Sequence, residues 1–265
     1  MNGSHDSTGS HYWSIALGWA ACAMLLTAPA AAGQVVEYPS GATSIEAYLV
    51  GPSTEAGARS PAVIVIHDDQ GLTDEVRAAA RLFAAEGFVA LAPDLVSRRA
   101  DRLQQVPLNQ TVQDVVAAFA FLQANAGVDP ERISVAGFGW GGWRAFKLAE
   151  LTPTLHRAVV FYGTTSDDRQ LHNIRASVLG HYAEYDFQTT AQVLATKRRL
   201  GERFTYYVYP DMDRGFFGGS SGAIDYEALV RGRESENLRS QTEPALAAVM
   251  DAVRLAWNRT LDFLR

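Results

Sequence analysis

Residues 132–142 read RISVAGFGWGG: a β-branched apolar run, then glycines at 137, 139, 141 and 142, with WRAFKLAEL following at once. An apolar run broken by glycines and resumed at helical spacing marks a buried strand turning sharply into a helix, here over about Gly141 to Leu151. The same alternation extends in both directions. Toward the N-terminus, PAVIVIHDD (61–69) is a continuous apolar run closed by acids, the pattern of a strand buried on both faces of a parallel sheet. Thr73 to Glu86 has helical spacing with Gly87 as its stop, FVALAPD (88–94) is a second buried strand, and TVQDVVAAFAFLQAN (111–125) places Val112, Val115, Val116, Phe119 and Leu122 on one stripe. Toward the C-terminus come strands RAVVFYG (157–163) and ASVLGHYAEYD (176–186), a helix from about Thr189 to Leu200, strand FTYYVYP (204–210) and a closing helix near Glu243 to Leu264. QVVEYPS (34–40) and SIEAYLV (44–50) alternate as an antiparallel edge hairpin does, and RGRESENLRSQTE (231–243) reads as a solvated loop. The pattern predicts one α/β domain: a doubly wound, mostly parallel sheet with helices on both faces.

With 265 residues, 48% apolar and 20% charged, the chain has enough apolar mass for a sizeable core. Its 23 basic against 29 acidic residues give a net charge of −6, which argues against nucleic acid or an anionic membrane surface as the main partner. The single cysteine, Cys22, lies in the N-terminal apolar stretch, so the folded part has no thiol for a disulfide, a zinc cage or a Cys nucleophile. That stretch, WSIALGWAACAMLLTAPAAA (13–32), is uncharged and ends in three alanines before Gly33, as a signal-peptidase site does. It predicts export, periplasmic or secreted, with residues 1–32 as a signal peptide and 33–265 as the domain. The leading part carries His5, Asp6 and His11 and no basic residue, unlike the usual secretory start. Left uncleaved, an apolar run of about 20 residues also suffices to anchor the domain in a bilayer.

In open α/β sheets, function gathers at the carboxyl ends of the strands, and the turn at 137–142 is the sharpest there. Gly137, Gly139 and Gly142 match G-x-G-x-x-G between strand and helix, but RAVVFYG ends in Tyr162 and Gly163 with no acid for a ribose hydroxyl. Trp140 and Trp143 also crowd the pyrophosphate's approach, so no dinucleotide and no other cofactor is expected. The second reading is a nucleophile elbow, G-x-nucleophile-x-G, with Gly137 and Gly141 as its flanks. The nucleophile position then falls on Gly139, which has no side chain.

These segments together resemble the dienelactone hydrolase family of α/β-hydrolases over nearly all of Gln34 to Arg265. PAVIVIHDDQGL is similar to the family's strand and turn, EGFVALAPDLVSR to its P-D-L segment, GFGWGG to its G-[YF]-C-x-G-G elbow, AEYD to its G-x-x-D, and LRSQTEPALAAVMDAVRLAWNRTLDFL to its closing helix. The resemblance implies an ester or lactone hydrolase in which a Cys or Ser attacks, a His is the base and an Asp orients it. Carried over, the acid is Asp186, the nucleophile position is Gly139, and the base position, in Asp213-Arg214-Gly215-Phe216, is Arg214. An accessory acid is matched by Asp68 and an Arg after P-D-L by Arg98. Glycine forms no acyl-enzyme, and an Arg with a pKa above about 12 accepts no proton near neutrality. The resemblance therefore implies a degenerate hydrolase.

If the elbow backbone is kept, the N–H groups of Trp140 and Asp69 point at the family's oxyanion position, beside the positive end of the following helix. Arg98 and Arg214 would clamp a carboxylate, and Phe138, Trp140 and Trp143 would wall the pocket of a small carboxylate or lactone ligand. Alternatively, Arg214 pairs with Asp186, and Arg98 with Asp94 or Asp68, filling a dead cleft. Hydrolysis would survive only through a relocated nucleophile among Thr164, Thr165 and Ser166, or a metal-bound hydroxide held by His67, His181 and Asp186, with Asp68, Asp69 and Glu184 nearby. A protein-interaction module on the hydrolase scaffold is the reading from a different class. His156 and His172 read as surface or loop histidines.

Overall fold

The computed structural model describes residues 33–52, 58–96, 107–165, 171–217 and 244–265. The anticipated export segment, the loop at 231–243, Arg98 and Ser166 lie outside them. Among the described residues eight strands form one sheet: β1 (Gln34–Ser40), β2 (Thr43–Val50), β3 (Ser60–Ile66), β4 (Val89–Pro93), β5 (Val128–Phe138), β6 (Arg157–Phe161), β7 (Ser177–Ala183) and β8 (Phe204–Tyr209). Their spatial order is β1-β2-β4-β3-β5-β6-β7-β8. The hairpin β1–β2 and the β2–β4 pair are antiparallel; every pair from β4–β3 through β7–β8 is parallel. Among the described residues the α-helices are α1 (Asp74–Ala85), α2 (Leu108–Gln123), α3 (Trp140–Leu151), α4 (Phe187–Leu200) and α5 (Pro244–Leu264).

Alternation along β3 shows why a continuous apolar run was needed. Ala62, Ile64 and Ile66 enter one core with Val115 and Phe119 of α2, Phe146 of α3 and Val193 of α4, while Val63 and Val65 enter another with Phe83 of α1 and Trp257 of α5. Helices thus cover both faces. One detail of α2 differs from expectation: Val116 is only partly buried, and Asp114 turns inward beside Val115. Its carboxylate accepts from Ser40 Oγ at 2.6 Å and its carbonyl from the Tyr38 hydroxyl at 3.0 Å, so a buried acid ties α2 to β1.

Candidate active site

The turn between β5 and α3 is built as an elbow. Gly139 has φ 47° and ψ −106°, a left-handed conformation that a side chain adopts only under strain. Its flanks have no room for more than hydrogen: a β-carbon on Gly137 would run into the carbonyl of Gly141, and one on Gly141 into the carbonyl of His67. Gly139 N–H donates to the Phe161 carbonyl at 2.9 Å and Gly142 N–H to the Gly139 carbonyl at 3.0 Å, which pins the turn to β6 and starts the helix.

The space above Gly139 is filled from the neighbouring strand end. A β-carbon on residue 139 would lie 2.6 Å from Asp68 Oδ2 and 2.7 Å from its Cγ, with Oδ1 closer still. Asp68 Oδ1 accepts from Trp140 N–H at 3.1 Å and from Asp69 N–H at 2.7 Å. These are the two donors expected to face an oxyanion. They hold the chain's own carboxylate instead, because β3 and β5 are adjacent and the missing side chain leaves a slot its size.

At the end of β7, Asp186 is buried and caps α4: Thr189 N–H donates to Oδ1 at 3.2 Å and the Thr189 hydroxyl to Oδ2 at 2.6 Å. Arg214, beyond β8, brings Nη1 to 3.8 Å from Asp186 Oδ2, with 47% of its side chain exposed. The acid and base positions of the resemblance are therefore brought together, as an ion pair rather than an Asp–His couple.

The remaining expected residues divide sharply. Phe138 is not a pocket wall: it is buried, stacked on Phe161 at 4.7 Å and on Phe217 at 6.0 Å, in the core beside α5. Trp140 is half-buried and stacks on His67 at 5.4 Å. Leu95 N–H donates to His67 Nε2 at 3.1 Å, so Nδ1 carries the proton and donates to the Asp68 carbonyl at 2.5 Å. His181 is equally committed, with Nδ1 against the Tyr209 hydroxyl at 2.8 Å and Nε2 against Thr260 Oγ1 at 3.0 Å. Burial lowers the pKa of both imidazoles, that of His181 to about 3 with help from the nearby Arg259 cation. With all four ring nitrogens engaged, neither histidine has an electron pair to give a metal, and among the described residues no group of three His, Cys, Asp or Glu is placed to hold one. Thr165 donates its N–H and hydroxyl to Gln192, as a turn residue does.

Arg144 went unnoticed in the sequence because one arginine at an apolar-patterned helix position carries no distinguishing mark. It is buried one turn into α3, with Nε on Thr111 Oγ1 at 3.1 Å, Nη1 on the Trp140 carbonyl at 2.9 Å and its guanidinium 3.0 Å from the Trp140 ring centroid. Desolvation pulls its pKa down to about 9, which still leaves it charged at neutral pH. It locks Trp140, and through Trp140 the N–H on Asp68.

Residues 45–265 match the dienelactone hydrolase family model. The chain belongs to the dienelactone hydrolase family. A Salmonella typhi protein named as a carboxymethylenebutenolidase is 28% identical over 209 residues, spanning 69% of this chain and 77% of that one. One of the same name from Synechocystis is 26% identical over 242 residues, spanning 79% and 96%. The solved structure of a protein from Klebsiella pneumoniae named as a dienelactone hydrolase superposes with TM-score 0.70 at 22% identity, covering 88% of this chain and 98% of that one. Dienelactone hydrolase membership accounts for the sheet order and for the strand–turn–helix connection at Gly139.

Proposed function

We propose that this member of an ester and lactone hydrolase family has given up the acyl-enzyme route and binds a small ligand that carries a carboxylate. The observation that carries this reading is the state of Arg214. Asp186 takes its hydrogen bonds from Thr189 and not from Arg214, so a guanidinium 3.8 Å away and about half exposed keeps its N–H donors and a face for a second carboxylate. The relatives' name points to the ligand: carboxymethylenebutenolide is a lactone bearing a carboxylate. Because Asp68 fills the N–H pair, the ligand's anionic group belongs at Arg214 and not at the elbow. Titration calorimetry with carboxymethylenebutenolide, beside its ultraviolet hydrolysis assay, tests the reading. Saturable binding without turnover, weakened about tenfold or more by Arg214→Ala, is expected. Multiple turnover by the wild-type protein, or binding indifferent to Arg214, overturns it. Export remains part of the proposal: β1 opens at Gln34, so a cut after Ala32 would leave the whole sheet intact.

A further inference from the structure

We propose that Asp68 is a displaced nucleophile, and that this site takes electrophiles with a leaving group on saturated carbon, such as primary alkyl halides. The two oxygens of Asp68 are not equivalent. Oδ1 is fixed by the N–H groups of Trp140 and Asp69, whereas Oδ2 accepts no hydrogen bond among the described residues and stands within 2.6 Å of where an elbow side chain would begin. An oxygen with no hydrogen-bond donor among the described residues thus lies, with Oδ1 closer still, beside the place where an elbow nucleophile begins, delivered by the end of β3 rather than of β5. Gly139 is what admits it.

The chemistry of a carboxylate selects the substrate class. Attack on an ester carbonyl would give an anhydride, more reactive than the ester consumed, whereas attack on saturated carbon gives an ordinary ester. In the second case Oδ2 donates an electron pair to the carbon, the carbon–halogen bond breaks, and the halide leaves with the bonding pair. No proton moves and no co-reactant is required. Oδ1 becomes the carbonyl oxygen of the aspartyl ester, still on its two N–H donors. Release would need a base to activate water; Arg214 cannot supply one, so the ester persists and the reaction is stoichiometric.

The test is incubation of the purified full-length protein with excess 1-bromobutane, followed by intact mass and peptide mapping. A single butyl group on Asp68, gained about tenfold or more faster than on the exposed Asp69, is expected from its fixed orientation. Asp68→Asn, which keeps the shape and an acceptor for the N–H pair, should lose that adduct while gaining others at the wild-type rate. An unmodified Asp68, or one modified no faster than Asp69, overturns the proposal; the rate comparison within the wild-type chain holds even if the variant folds poorly. Lactone titration is read independently, so loss of ligand binding and loss of the adduct are separate failures.

Discussion

The Asp68 carboxylate lies directly over the α-carbon of Gly139, with Oδ2 2.6 Å from where a β-carbon would stand. The two residues form one unit: the acid fits because the glycine is bare, and the glycine is protected because the acid sits on it. Gly139→Ala combines a β-carbon at φ 47° with a collision against a tethered carboxylate, and should cost about 2–3 kcal/mol in urea unfolding. In the Asp68→Ala background only the backbone strain remains and the penalty should fall by about half. Equal penalties in both backgrounds would mean that the carboxylate is not held there.

The same contact blocks a simple repair of the triad. Gly139→Ser with Arg214→His restores nucleophile and base, but the serine would begin inside Asp68, and the N–H groups of Trp140 and Asp69 would stay occupied. Adding Asp68→Ala frees both donors, and one such donor is worth about a hundredfold or more in acyl transfer. The triple variant should therefore hydrolyse p-nitrophenyl acetate at least about a hundredfold faster than the double variant. Equal rates would show that the hole was never the obstacle.

Arg214 and Asp186 distinguish a binding site from a filled cleft. Asp186 caps α4, so Asp186→Ala should lower stability by about 1–2 kcal/mol. Arg214 is about half exposed and 3.8 Å away, so Arg214→Ala should change the melting temperature by no more than a degree or two, a shift expected from well under about 1 kcal/mol. A large loss on removing Arg214 would mark it as the neutraliser of a buried acid.

How far the sequence carried follows from the range of the interactions involved. Each strand of the parallel sheet was legible because burial on both faces demands an unbroken apolar run, as in AVIVI of β3, and the elbow because its glycines cluster where that run gives way to helical spacing, although only Gly137 is forced by a carbonyl one turn away and Gly141 is forced by that of His67 on the neighbouring strand. The Asp186–Arg214 meeting was legible only through family resemblance, since it joins the ends of two loops. Occupation of the N–H pair by Asp68 was missed because it depends on how two adjacent turns face each other across 72 positions of sequence. Phe138 departs from the expected pocket wall for a related reason: a residue next to the elbow sits at the strand end, where pleat parity decides between site and core, and parity places it against Phe161 and Phe217.

Acid should weaken this protein through His181. The ring is buried and neutral between Tyr209 and Thr260, and its pKa in the folded chain is about 3 against an ordinary 6.5. Between those values the unfolded chain binds a proton that the folded one refuses, so stability is full above pH 6.5 and declines as pH falls through the interval. By pH 5 the loss from this group is about 2 kcal/mol, and His67, lowered in the same direction by burial, adds to it. Urea midpoints measured at pH 7.5 and pH 5 should therefore fall on acidification, and His181→Gln, which cannot be protonated, should have a shallower slope even if less stable overall. An identical pH slope in wild type and variant would show that His181 is not held neutral by its surroundings.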